Sequence, residues 1–341
     1  MGGLAPKVAA PEGLRLADDL LASKVTVRTG DQFFNLYNHD FVRLTVGIPR
    51  VRVADPAFNS QETIKLIGEA ARTRSVLALL PELGVSVYSC DDLFHQKALL
   101  TGCLEALEHI LNASRNWPLL CVVGAPLQFD QLLYNCAVVI GNGRILGIIP
   151  KTYLANYGEF YEQRYFAPAD AATHGEIELL GQTGVPFGNR LLFRVQEQPL
   201  LTFHVEICED LWVPIPPSCE AALAGATVLL NLSGSNVTIG KADYRRQLVM
   251  GQSGRCLAAY LYGSAGPGES TTDLAWDGHA MIAENGNLIA ESRRFCMEPQ
   301  IITSEIDLER LSQERMRQTS FGQSVIREQH RSAISERSTV Q

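Results

Sequence analysis

The chain has 341 residues, 46% of them hydrophobic and 19% charged, which is enough apolar material for one large core and too much for a disordered chain. Its formal net charge of −8 argues against a nonspecific nucleic-acid binder, which needs a basic surface to neutralise phosphates. The eight cysteines, at 90, 103, 121, 136, 208, 219, 256 and 296, form no CxxC pair and no Cys/His cluster at metal spacing, so no metal site is expected. No signal-peptide pattern is visible, and no apolar run approaches the roughly 18 residues of a membrane span. The expectation is a cytoplasmic protein that binds neither membrane nor nucleic acid.

Residues 1–32 carry little pattern beyond a short amphipathic stretch from Leu14 to Leu21 and read as an arm of unknown role. From Phe41 the character changes. RLTVGIPRVRV reads as a strand, Asn59 as the cap of a helix through ETIKLIGEAARTR, and SVLALLPEL as a buried strand. A second helix, roughly Phe94 to Ser114, leads into the strand PLLCVVGAP. LLYNCAVVI and RILGIIPK then flank Asn142-Gly143, the residue pair that a tight hairpin prefers, and Asn285-Gly286 repeats the device in HAMIAENGNLIAES. PLLTFHVEIC, TVLLNLS and AAYLYGSA supply further core strands, with helices expected around Ser218 to Ala224 and Ala242 to Leu257. Strands alternating with helices, interrupted by two hairpins, describe an α/β protein with mixed sheets. The stretch from Glu309 is rich in Arg, Gln, Glu and Ser, and residues 311–341 read as a polar helical tail.

Three polar residues stand at the ends of apolar strands: Glu82 after SVLALLP, Lys151 after RILGIIP, and Cys208 after PLLTFHVEI. Strand ends are where clefts of α/β sheets open. Each residue has an ordinary reading as well: a solvated turn carboxylate, a surface charge, a core thiol. Together they supply a base, a cation and a nucleophile, the parts of acyl transfer through a covalent thioester.

LLPELG, PKTYLANYGEFYEQRYF and VEICEDLW resemble the Glu, Lys and Cys motifs of the nitrilase superfamily of carbon–nitrogen hydrolases. The flanking text narrows the likeness. FNLYNHDFVRLTVGIP, YNCAVVIGNGRILGIIPK, NLSGSNVTIGKADYRRQLV and SGRCLAAYLYGSAGPGESTTDLAWDGHAMIAENG are similar to the glutaminase domain of glutamine-dependent NAD synthetases, over roughly residues 33–310. The resemblance implies an αββα sandwich in which Glu82 is general base, Lys151 stabilises the oxyanion and Cys208 attacks the side-chain amide of L-glutamine. It implies a fourth active-site carboxylate at Glu162, which otherwise reads as a salt-bridge partner of Arg164. It further implies substrate-binding roles for Tyr157, Ser235 and Lys241. Tyr88 falls where a pocket tyrosine is expected, against packing under a loop; Glu209 either meets the substrate's ammonium or caps a turn. No cofactor is implied.

The second domain of such synthetases, which uses ATP and an NAD precursor, has a loop of the form SGGxDS that is absent from this sequence. The resemblance therefore implies a synthetase domain or subunit as ammonia acceptor, and leaves open a fragment, a separate subunit or a stand-alone amidase. It also implies a homo-oligomer. Two other readings remain: a nitrilase-superfamily enzyme acting on another amide or nitrile, and a noncatalytic scaffold that keeps the fold.

Overall fold

In the computed structural model, which describes residues 34–332, the chain enters on β1 (Phe41–Ile48) and turns into α1 (Pro56–Arg72). Asp55, not Asn59, caps this helix: its Oδ1 accepts from the Phe58 N–H at 3.1 Å, and Pro56 fills the first turn, where no N–H is needed. Asn59 lies inside the helix, fully buried. Its Nδ2 donates to Val85 O at 3.0 Å and Arg52 O at 2.9 Å, so it fastens the loop that follows β2 (Leu77–Leu79). A buried amide serving two backbone segments is a long-range feature that capping statistics do not see.

The second helix, α2 (Lys97–Ala113), precedes β3 (Leu120–Phe129), β4 (Leu132–Gly141) and β5 (Arg144–Pro150). Asn142 and Gly143 both take positive φ, 48° and 71°, as the expected tight turn requires. Asp130 and Gln131 do the same between β3 and β4, with φ of 46° and 64°, which makes a hairpin without any glycine to announce it. A small hairpin, β6 (Glu176–Leu179) with β7 (Gln182–Pro186), follows. Then come β8 (Phe193–Arg194), β9 (Thr202–Ile207), α3 (Pro217–Leu223), β10 (Val228–Ser233), α4 (Lys241–Cys256) and β11 (Ala259–Ser264). The described chain ends with β12 (Ala280–Glu284), β13 (Asn287–Glu291), β14 (Gln300–Asp307), α5 (Leu308–Arg317) and α6 (Thr319–Ser332).

The strands form two six-stranded sheets, ordered β14-β1-β2-β3-β4-β5 and β13-β12-β11-β10-β9-β8. Each is parallel at its centre and antiparallel at its edges. Their facing sides share one apolar cluster, with Leu44, Val46, Leu77 and Val122 from the first sheet and Phe203, Val205, Leu230 and Leu261 from the second. At about 1.5–3 kcal/mol for each large side chain buried, this seam is the main force holding the sheets face to face. The outer side of the first sheet packs on α1 and α2 through Ile67, Ala70, Cys103 and Leu107. The outer side of the second packs on α3 and α4 through Ala221, Ala222 and Val249. The result is the four-layered α/β sandwich with mixed sheets.

The expected arm, with its Leu14–Leu21 stretch, lies outside the described residues. At the other end, the expected tail boundary at residue 311 falls within α5. Leu308 and Leu311 are buried in the seam, and the Arg315 guanidinium donates to the carbonyls of Ala226, Cys256 and Leu257. Among the described residues no helix is long and apolar enough to cross a membrane.

Candidate active site

Glu82 sits three residues past β2, on a segment pressed against β3. A Cβ at Gly124 would lie 2.2 Å from Leu83 N and 2.7 Å from Pro81 O, so only glycine lets the two backbones meet there. The Glu82 carboxylate accepts three hydrogen bonds. Its Oε1 accepts from Lys151 Nζ at 2.7 Å and from Asn135 Nδ2 at 2.6 Å, and its Oε2 accepts from the Gly234 N–H at the end of β10. Lys151, one residue past β5, reaches Glu162 Oε1 at 2.7 Å as well. Glu162 also accepts from the Tyr88 hydroxyl at 2.7 Å and from the Ala155 N–H at 3.1 Å. Both Glu82 and Lys151 side chains are wholly buried. Two carboxylates thus share one ammonium, each accepting two further hydrogen bonds, which is the condition under which a buried ion pair is tolerated.

Cys208 begins a short 3₁₀ turn directly after β9. Its φ is 43°, in the left-handed region that a residue with a Cβ seldom enters, at a cost of about 1–3 kcal/mol. Asp210 holds the turn in place. Its Oδ2 accepts from the Ile207 N–H at 2.9 Å and its Oδ1 from the Tyr153 N–H at 2.8 Å, so one carboxylate ties the cysteine turn to the loop after Lys151. Burial pushes the Asp210 pKa up to about 8, with the Ile207 N–H pulling against it.

The electrostatics follow from the charge count. Burial pushes the Cys208 thiol up to about 12, Glu82 adds to the rise, Lys151 opposes it and Glu162 adds again. Cys208 is therefore a protonated thiol at rest and needs a base to become a nucleophile. Burial disfavours the Lys151 cation, but Glu162 and Glu82 outweigh it and hold its pKa well above the ordinary lysine value. Glu162 is raised by burial, with Lys151 drawing it down and Glu82 pushing it up.

Cys208 opens onto a cleft of about 470 Å³ whose lining includes Tyr157, Glu209, Ser235 and Lys241. Of the residues expected to bind substrate, these four line the cleft beside the sulfur. The Tyr157 hydroxyl donates to Glu209 Oε2 at 2.9 Å. Lys241 Nζ donates to Asn236 Oδ1 and lies over the rings of Phe160 and Trp212, 5.2 and 5.3 Å from their centroids; burial lowers its pKa. Ser235 Oγ accepts from Arg245 Nη2 at 3.1 Å. Tyr88 is elsewhere. It stands behind Glu162 on a separate cavity of about 40 Å³, with its N–H on Glu269 Oε1 at 2.9 Å and its ring against Trp276. Arg164 pairs with Asp92, not with Glu162. Among the described residues no group of three or more His, Cys, Asp and Glu side chains could hold a metal ion.

Sequence reading missed Asn135, Asp210, Arg245 and Glu269. Asp210 carried a signal, two residues after the cysteine in VEICEDLW. Asn135 and Glu269 act across 53 and 181 residues of chain and Arg245 across 10, and none of the three carried a signal.

The carbon–nitrogen hydrolase family model matches residues 44–316. This chain belongs to that family. Its relatives include the glutamine-dependent NAD(+) synthetase of Mycobacterium tuberculosis, 47% identical over 289 residues covering 85% of this chain and 42% of the relative. That of Mycobacterium leprae is 45% identical over 302 residues, covering 89% and 44%. Among solved structures, this carbon–nitrogen hydrolase chain is similar to a glutamine-dependent NAD(+) synthetase from Cytophaga hutchinsonii, with TM-score 0.68, 27% identity, and coverage of 78% and 43%. A carbon–nitrogen hydrolase from Helicobacter pylori shares the fold at TM-score 0.66 and 17% identity, with coverage of 82% and 94%. The chain spans about two-fifths of the length of the curated synthetases it matches.

Proposed function

We propose that this chain hydrolyses the side-chain amide of L-glutamine to glutamate and ammonia through a γ-glutamyl thioester on Cys208. The observation that carries the reading is the buried Glu82–Lys151–Glu162 chain of ion pairs coupled to a thiol at the wall of an open cleft.

As the sulfur attacks the amide carbon, Glu82 takes the thiol proton, since the thiol does not ionise unaided at neutral pH. Lys151 and a backbone N–H of the cysteine turn stabilise the tetrahedral oxyanion, each donor contributing on the order of 3 kcal/mol. Glu82 returns its proton to the departing amine, and ammonia leaves. Glu82 then removes a proton from water, which attacks the thioester carbon; the C–S bond breaks, Glu82 returns the proton to the departing sulfur, and glutamate leaves the regenerated Cys208 thiol. Glu162 fixes the Lys151 ammonium, and Tyr88 fixes Glu162. Glu209 and Lys241 put opposite charges in the same cleft, as a zwitterionic amino acid requires, with Tyr157 and Ser235 beside them.

The ammonia passes to a synthetase domain or subunit that binds ATP and an NAD precursor, because ammonia released to neutral water protonates and ceases to be a nucleophile. The expected setting is a cytoplasmic homo-oligomer. A glutamine-mimicking diazoketone tests the chemistry: one adduct, on Cys208 and prevented by glutamine, is the expected mass spectrum, and equal labelling of all cysteines would reject the enzyme reading. A panel of glutamine, simple amides, nitriles and N-carbamoyl amino acids tests the substrate. Consumption of another member with glutamine inert would reject glutamine and keep the mechanism.

A further inference from the structure

On the face of the second sheet away from the seam, two more thiols meet. Cys219 lies on α3 and is half-exposed; Cys256 ends α4 and is buried. A single amide nitrogen joins them, for Gln252 Nε2 donates to Cys219 Sγ at 3.2 Å and to Cys256 Sγ at 3.3 Å. The Cys256 thiol also points at Ser218 O, 3.9 Å away, the carbonyl of the residue before Cys219. We propose that Cys219 and Cys256 are a redox-active dithiol, with Cys219 the thiol that reacts with peroxides and Cys256 the one that resolves it into a disulfide.

The division of labour follows from the surroundings. The neighbouring Cys256 thiol, the Gln252 amide that donates to the Cys219 sulfur and the Arg255 charge together outweigh burial and lower the Cys219 pKa. That shift favours the Cys219 thiolate, the form that attacks an oxidant. Elsewhere in the chain burial prevails: Cys90, Cys103 and Cys121 are each pushed up to about 12. In the first step the Cys219 sulfur attacks one peroxide oxygen, the O–O bond breaks, and the departing hydroxide takes a proton to become water, leaving a sulfenic acid. In the second the Cys256 sulfur attacks the Cys219 sulfur. The S–O bond breaks, and the hydroxide combines with the proton of Cys256. Two electrons pass from the thiol pair to peroxide, and an external dithiol reverses the change. The bridge would link α4, whose first residue Lys241 lines the cleft, to α3.

The test begins on the unaltered chain. After hydrogen peroxide, a non-reducing digest should contain the peptides of Cys219 and Cys256 linked, about 2 Da lighter than their sum, and dithiothreitol should separate them. Oxidation of other cysteines without that linked pair would overturn the proposal. Alkylation by iodoacetamide at pH 6.5 should be severalfold faster at Cys219 than at a model cysteine peptide, since the larger thiolate fraction exceeds the loss of intrinsic nucleophilicity. A rate no faster than the peptide's would also overturn it. C256S should stop at a sulfenic acid on Cys219 that a cyclic 1,3-diketone traps, whereas C219S should yield neither adduct nor bridge. Glutamine should leave the Cys219 rate unchanged, which separates this site from the cleft and from the fate of the amidase reading.

Discussion

Replacing Glu82 by glutamine should make the nucleophile easier to ionise and the enzyme far slower. The side chain keeps its length, but an amide has one acceptor oxygen where the carboxylate has two. If that oxygen stays with Lys151 and Asn135, the amide nitrogen faces the Gly234 N–H, donor against donor. One charge-assisted hydrogen bond is lost and Lys151 keeps only Glu162 as an ionic partner, which together should cost about 3 kcal/mol of stability. Glu82 is also the largest charge raising the Cys208 thiol, and a like charge at close range is worth about 1–3 pKa units. Iodoacetamide at pH 9 should therefore modify Cys208 in Glu82→Gln at least about tenfold faster than in the parent chain. Amide hydrolysis should fall by about 10²–10⁴, the usual contribution of a general base. Quantitative mass spectrometry of the Cys208 peptide and an ammonia-release assay on the same preparation give both numbers. Parallel change, with both rates falling or neither, would refute the assignment of Glu82 as the charge that keeps the thiol protonated and as the base that removes its proton.

Three other perturbations probe the frame. Asp210→Asn replaces one of the two side-chain oxygens that accept backbone N–H groups and should cost about 2 kcal/mol in denaturant melts; by loosening the cysteine turn it should lower kcat about a hundredfold with KM little changed. Gly124→Ala places a methyl against the backbone of Leu83 and Pro81, where nothing can yield cheaply; a loss of about 3 kcal/mol and of turnover is expected, and a parent-like melt would contradict the close approach. Glu206 is pushed up by burial to about 7 from 4.5. Its folded form holds a proton that the unfolded chain releases, so its contribution to stability is complete below pH 4.5 and fades as pH rises to about 7. The difference amounts to about 3 kcal/mol, and Glu206→Gln should flatten that part of the stability–pH curve measured by urea titration.

The parts of this molecule that were legible in sequence are those whose cause is local. The turns at Asn142-Gly143 and Asn285-Gly286 need only two residues able to take positive φ, and the apolar strands declare themselves by composition. The hairpin at Asp130-Gln131 escaped because its residues take the same conformation without a glycine to mark it. The helix start at Asp55 was missed because Asn59, a better-looking cap, is spent on the carbonyls of Arg52 and Val85. At the candidate site, Glu82, Lys151 and Cys208 stood out as polar groups terminating apolar strands. Their supports did not. Asn135 is buried within a strand, Glu269 lies 181 residues from the tyrosine it fixes, and Arg245 holds Ser235 from inside α4.

Glu82 and Lys151 hang from one sheet, while Cys208 and the Gly234 N–H hang from the other. The apolar seam therefore works as a spacer gauge: its side-chain thickness sets how far sulfur stands from carboxylate. A core substitution that let the sheets slide or part by a fraction of an ångström would register first as a slower reaction, well before any melting experiment noticed it.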